Sequence, residues 1–178
     1  KFYVYIYALF DKVIICLRTA VYKEITNSNA NNLIIKGKIY FMNKNIIFGN
    51  NVTLYPGVTF MGTGKITIGN NVAIGKDSII IAKEDIEIGD NTCIAGQCFI
   101  VDNNHCINKD KLIREQELEV KNKLIIGSDC WIGANSTIIA GAHIEDGAII
   151  GAKALVNCPI KKYSIVVGIP AREIGKRE

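Results

Sequence analysis

Between Leu124 and Arg172 an aliphatic side chain recurs at every sixth position. Ile126, Ile132, Ile138, Ile144, Ile150 and Val156 follow one another without a miss. Two residues before each stand Leu124, Cys130, Ser136, Ala142, Ala148 and Ala154, most of them small. Gly127, Gly133 and Gly151 directly follow three of the aliphatics. Such a period is neither the ~3.6 of a helix nor the bare ~2 of an isolated strand. It suits a coil in which each six-residue unit supplies one short strand and one turn, stacked on the units before and after it.

The ladder continues upstream in sets of three: Phe48, Leu54 and Phe60, then Ile68, Ile74 and Ile80, then Ile88, Ile94 and Ile100. Each set begins 20 residues after the one before, so every turn of the coil carries two residues beyond three hexads. Ile34 and Tyr40 extend the register into a partial first coil. Gly49-Asn50-Asn51, Gly69-Asn70-Asn71 and Gly89-Asp90-Asn91 each follow a rung, and these residue types tolerate the positive φ of a tight corner. Three strands per turn make a triangular prism filled with stacked aliphatics. Five coils at about 4.8 Å per step give a core roughly 24 Å long.

The coil due near residue 108 begins only at Ile126. The intervening Asp102 to Lys123, polar and charged, is therefore an excursion loop, and loops ejected from a rigid scaffold are where binding and catalysis concentrate. Upstream of the prism, Lys1 to Ile25 is apolar on most faces but interrupted by Asp11, Lys12 and Arg18. Its longest uncharged run, Phe2 to Phe10, falls far short of the roughly 20 residues needed to cross a bilayer. Asp11-Lys12 also splits the apolar region, unlike a secretory signal. Two readings stand: a helix that covers the open end of the coil, or an anchor lying on the inner face of the cell membrane. The organisation expected is a helical segment at 1–27, a β-helix domain at 28–161 carrying the loop 102–123, and a C-terminal extension at 162–178.

With 178 residues, 49% of them hydrophobic, the chain suffices for one domain with a sizeable core. The formal charge of +4 comes with no run of Lys or Arg dense enough for a nucleic-acid face. None of the six cysteines forms a C-x-x-C pair, and Cys98 and Cys130 fall on core-facing positions. They read as reduced thiols of a cytoplasmic protein rather than a disulfide framework.

The strings WIGANSTIIAGAHIEDGAIIGAKALV and YSIVVGIPAREI resemble the C-terminal part of the hexapeptide-repeat O-acetyltransferases, a family that includes galactoside, maltose, chloramphenicol-type and capsular-polysaccharide enzymes. IGDNTCIAGQCFIVDNNH resembles the coil leading to that family's catalytic histidine. The resemblance covers roughly Ile46 to Ile174. It implies an all-β, left-handed parallel β-helix, a homotrimer with sites between neighbouring prisms, and acetyl-CoA as donor with no metal. The acceptor it implies is a hydroxyl of a sugar or glycan such as capsule or lipopolysaccharide.

Moving an acetyl group from a thioester to an alcohol needs a base, donors for the tetrahedral oxyanion, and a cleft that aligns the two substrates. Of two histidines, His105 opens the excursion at the position matching the family's base, and an imidazole is suited to proton transfer near neutrality. Its second ring nitrogen needs an acceptor, which Asp102 or a backbone carbonyl would supply, and Asn104 beside it is a candidate contact to the acceptor. His143 lies before rung Ile144 in a regular coil and should point outward. By resemblance, the Ala134 N–H lies beside the thioester carbonyl, Ala152 and Asn157 line the pantetheine arm, and Arg172 sits near the nucleotide phosphates. Members often carry Lys where Cys158 stands, so Lys161 and Lys162 are further phosphate candidates. Trp131, the single tryptophan, is expected to shape the acceptor site or anchor a subunit contact. Where galactoside and maltose enzymes place polar acceptor contacts, this chain has Gly75 and Lys83.

Other readings remain open. Transfer to an amino sugar or to serine stays within acyl transfer, and a non-catalytic scaffold would use the same prism. A carbonic anhydrase on this fold takes three histidines per zinc, one more than the chain has. Cys106 as a covalent nucleophile would point away from His105 on an extended segment.

Overall fold

A computed structural model describes residues 2–26, 29–120 and 122–178, without the side chains of residues 2–8 and 25. The expected domain boundary at 27 lies outside the described residues. Helix α1 (Phe2–Ile25) leads into a prism of short parallel strands arranged on three faces. The first face stacks seven parallel strands, from Ile34–Ile35 to Ser164–Val167. The second runs from Tyr40–Phe41 to Leu155–Val156 and the third from Ile46–Phe48 to Pro159–Ile160, six strands each.

All fifteen rungs from Phe48 to Val156 point inward and are at most 6% exposed. Each such side chain contributes about 1.5–3 kcal/mol of burial, and all but Phe48 and Val156, on end strands of the third and second faces, lie between rungs of the coils above and below. The small positions two residues earlier fill the space beside the corners: Ser78, Cys98, Ser136 and Ala154 are buried, as are Cys130 and Ala148. Burial pushes the Cys98 and Cys130 thiols up from their ordinary range.

The first coil departs from the expected register. Ile35 pairs with Leu54 and Phe41 with Phe60, so Ile35 and Phe41 face inward. Ile34 and Tyr40 are 39% and 40% exposed. The step from the first coil to the second is 19 residues rather than 20, and in a strand a one-residue slip exchanges the two faces. Phe41 stacks on Phe60 at 5.3 Å, and Phe48 meets Phe60 edge-on at 5.9 Å. Tyr22 of α1 packs on Phe41 at 5.2 Å and donates its hydroxyl to the Ile39 carbonyl at 3.0 Å. Thr19 Oγ1 accepts the Ile35 N–H at 3.2 Å. The helix thus seals the open end over an aromatic plug, satisfying edge groups that would otherwise be left unpaired.

At the other end the coil runs further than the expected boundary at 161. Pro159–Ile160 stacks on His143–Ile144, and Ser164–Val167 stacks on the strand Ile149–Ile150. Ile160 follows Val156 by four residues instead of six, which hides this coil from a strict six-residue count. The prism therefore has six complete coils and a seventh strand, against the five expected. Arg172–Lys176 then folds back antiparallel on that last strand.

Two corners are built from repeated polar devices. Where the third face meets the first, Asn32 Nδ2 donates to Asn51, Asn51 to Asn71 and Asn71 to Asn91, each at 2.9 Å. These asparagines hold φ between 54° and 59°. Where the first face meets the second, each coil from the second to the sixth makes a tight turn with positive φ at its third residue: Gly57, Asp77, Gln97, Asn135 and Lys153. The fourth residue's N–H reaches back to the first residue's carbonyl, as in Ser136 to Gly133 at 3.3 Å and Ala154 to Gly151 at 3.2 Å. That pattern is a type II turn, and its second position is held by Pro56, Lys76, Gly96, Ala134 and Ala152 in successive coils.

Candidate active site

The excursion leaves the prism between the second and third faces. Phe99–Val101 still pairs with Ile79–Ala82 below it, and Leu124–Ile126 returns to pair with Asp85–Ile88. The stack is therefore unbroken although some twenty residues have been expelled from it. Asp102 holds the departure point. It is fully buried, and its Oδ1 accepts the Lys83 N–H at 2.8 Å while Oδ2 accepts those of Glu84 and Asp85 at 2.9 and 3.0 Å. Asn103 Nδ2 also donates to Oδ1 at 3.0 Å. At the return point Lys123 pairs with Glu87 at 2.5 Å and Asp85 at 3.5 Å. The hydrogen bond that Lys123 donates to Glu87, foremost, raises the lysine's pKa above its ordinary value.

Inside the loop, Asn104–His105 pairs antiparallel with Leu118–Glu119 in a short ribbon. Gln116 closes the tip, accepting the Asn108 N–H at 2.7 Å and donating to the Asn108 and Lys111 carbonyls at 2.9 and 3.0 Å. His105 and Asn104 are exposed. The His105 ring has no hydrogen-bond partner among the described residues.

This corrects the role expected of Asp102. Both carboxylate oxygens are spent on N–H donors at the corner, so Asp102 positions the base of the loop instead of orienting the imidazole.

Ala134 and Ala152 are brought together, one coil apart, at the corner between the first and second faces. The Lys153 N–H donates to the Ala134 carbonyl at 2.9 Å, and a Cβ on Gly133 would lie 2.5 Å from the Ala152 nitrogen. The N–H groups of Ala134 and Ala152 have no partner among the described residues. Those of Lys76 and Gly96 below them likewise have no partner among the described residues, so this corner carries a column of unpaired donors.

Arg172 and Lys161 meet at the C-terminal end, lining a cavity of about 370 Å³ with Cys158, Glu173 and Lys176. Lys176 was not foreseen, since its place depends on the chain folding back after the prism. Lys162 faces elsewhere, with its Nζ over the Tyr163 ring at 5.1 Å and 3.9 Å from Asp146. Asn157 is exposed at the corner between the second and third faces. Trp131 lies on the first face, 55% exposed, in a groove with Cys93, Ile149 and Arg177. Within one chain it is not on the corner that carries His105. His143 points outward as expected. Among the described residues no group of His, Cys, Asp and Glu converges to hold a metal.

The fold is thus a parallel β-helix of six-residue units with one ejected, histidine-bearing loop. A family profile described as bacterial transferase hexapeptide (six repeats) matches residues 123–158, and one described as hexapeptide repeat of succinyl-transferase matches residues 65–100. Over those two stretches the chain is similar to hexapeptide-repeat transferases. It is 47% identical over 53 residues to a chloramphenicol acetyltransferase of Agrobacterium fabrum, across 30% of this chain and 25% of that protein. It is 30% identical over 90 residues to the putative lipopolysaccharide biosynthesis O-acetyl transferase WbbJ of Escherichia coli, across 47% of this chain and 46% of that one. The chain therefore spans less than half the length of these curated relatives. AntD, an N-acyltransferase from Bacillus cereus solved with dTDP and 3-hydroxybutyryl-CoA, superposes with a TM-score of 0.75 at 25% identity, over 90% of this chain and 88% of AntD.

Proposed function

We propose that this chain is an acetyl-CoA-dependent acetyltransferase that acetylates a hydroxyl of a sugar or glycan by direct transfer. The observation that carries the reading is His105, an exposed imidazole with an uncommitted ring, held on a short ribbon whose base is clamped to the prism by Asp102. The ring takes the proton from the acceptor hydroxyl as its oxygen attacks the thioester carbonyl. The tetrahedral oxyanion is met by the unpaired Ala134 N–H, and collapse expels the CoA thiolate. Ala152 continues the donor column toward the C-terminal end, where the cations Arg172 and Lys161, joined by Lys176, suit the phosphates of CoA. Asn157 and Lys162 stand at other corners and contribute less directly.

His105 and the donor column occupy different corners of one prism, so no corner of a single chain holds both. That division supports a homotrimer in which the loop of one subunit serves the donor corner of its neighbour. In such an assembly Asn104 and Trp131 face the acceptor from opposite sides. The unpaired cysteines fit a reducing, cytoplasmic setting.

WbbJ favours oxygen as the acceptor atom, whereas another AntD structure holds dTDP-4-amino-4,6-dideoxyglucose with coenzyme A and keeps amino-sugar N-acetylation as the second reading. Replacing His105 by alanine should lower kcat by about 10²–10⁴, the scale for losing a general base, with KM for acetyl-CoA nearly unchanged. Undiminished turnover would overturn the reading. Turnover against a panel of sugars, nucleotide sugars, amino sugars and lipid-linked oligosaccharides separates the two acceptor atoms.

A further inference from the structure

The charge of this chain is divided along the prism axis. Residues 1–76 carry nine Lys or Arg against two Asp or Glu, whereas residues 77–178 carry twelve against fifteen. After Glu24 the next acidic residue is Asp77, and Lys36, Lys38, Lys44, Lys65 and Lys76 lie between them. The first three sit at corners of the first coil, the one sealed by α1.

The same end is apolar on its outer side. Ile14, Ile15, Thr19 and Tyr22 form the inward side of α1. Leu9, Phe10, Val13, Leu17 and Val21 are 49–65% exposed. At about 100° per residue these five fall within an arc of about 120° directly opposite the inward side. Lys12 and Lys23 flank that arc on one side, and a single acidic residue, the exposed Glu24 of the last turn, falls within it. Around the rim, Lys36 lies over the Tyr55 ring at 4.3 Å and Lys38 over Tyr40 at 4.7 Å, and Met42 beside Lys44 is 64% exposed. Yet among the described residues no helix is long and apolar enough to cross a membrane.

We propose that this end of the prism docks on an anionic lipid surface, with α1 lying in the interface and the first-coil lysines on the headgroups. An amphipathic helix binds a bilayer by its buried apolar stripe together with attraction to anionic lipids. Lysines at the membrane surface add to that attraction individually and lose it to salt. Lysine and tyrosine together suit the polar–apolar boundary, since each has an apolar body and a polar tip. This location is independent of which acceptor the chain acetylates.

The test is co-sedimentation of the whole chain with vesicles of phosphatidylglycerol and phosphatidylcholine in equal parts, beside vesicles of phosphatidylcholine alone. Binding to the anionic vesicles only, falling as salt is raised, is expected. Combined Lys36→Glu, Lys38→Glu and Lys44→Glu should weaken it tenfold or more, and so should combined Val13→Asp and Leu17→Asp. Both variants should keep the parent's thermal transition, since these side chains point outward. No binding to either vesicle overturns the proposal, as does equal binding by the parent and both variants. If the Val13 and Leu17 changes shift the oligomeric state and leave vesicle binding intact, the stripe is a contact between copies of the chain and the proposal fails.

Discussion

Replacing Ala134 by proline isolates a single backbone donor. Pro56 already occupies the equivalent second position of the turn two coils below the loop, with Gly57 after it at φ 81°. Proline's fixed φ suits that position of a type II turn, and the residue before it here is Gly133, the least restricted by a following ring. No hydrogen bond is lost in folding, because the Ala134 N–H has no partner among the described residues. Stability should therefore change by less than about 1 kcal/mol, and restricting the unfolded chain works slightly in its favour. Loss of one preorganised oxyanion donor costs about 10²–10³ in kcat, or roughly 2.7–4 kcal/mol. The measurement is steady-state acetyl transfer beside a thermal melt of the same preparation. A kcat within threefold of the parent, with the melt unchanged, would refute the oxyanion role. Loss of the fold would instead refute the equivalence of the turns.

Two further predictions concern groups buried in the prism. Asp102→Asn keeps only one acceptor oxygen among three backbone donors, so about 2–4 kcal/mol should be lost, seen as a fall of roughly 5–15 °C in the thermal transition. An unchanged transition with turnover abolished would return Asp102 to the imidazole. Cys98 and Cys130, buried and with thiols made less acidic by burial, should resist iodoacetamide in the folded protein at neutral pH while exposed Cys16 and Cys93 react. Mass spectrometry of the labelled peptides decides it.

The prism was legible because its core is written once per hexad, and every rung from Phe48 to Val156 faces inward. Reading failed at the two ends for related reasons. The 19-residue first step moved the inward role from Ile34 to Ile35, and the four-residue step from Val156 to Ile160 concealed the last complete coil. A strict period carries no information about such a shortened corner. In the site, the position and exposure of His105 could be read from where the ladder breaks. The work of Asp102 could not, because its partners are amides of Lys83 to Asp85, nearly twenty residues away along the chain and adjacent only once the coils stack. Lys176 was hidden by the return of the chain after the seventh strand.

Because the coils stack without interruption, height along the prism comes in whole turns. Three steps, roughly 14 Å at about 4.8 Å each, separate the sealed first coil from the coil that releases the histidine loop. Adding or deleting one complete turn would raise or lower the imidazole by a fixed increment and leave it departing from the same edge. The scaffold is a spacer graduated in coils.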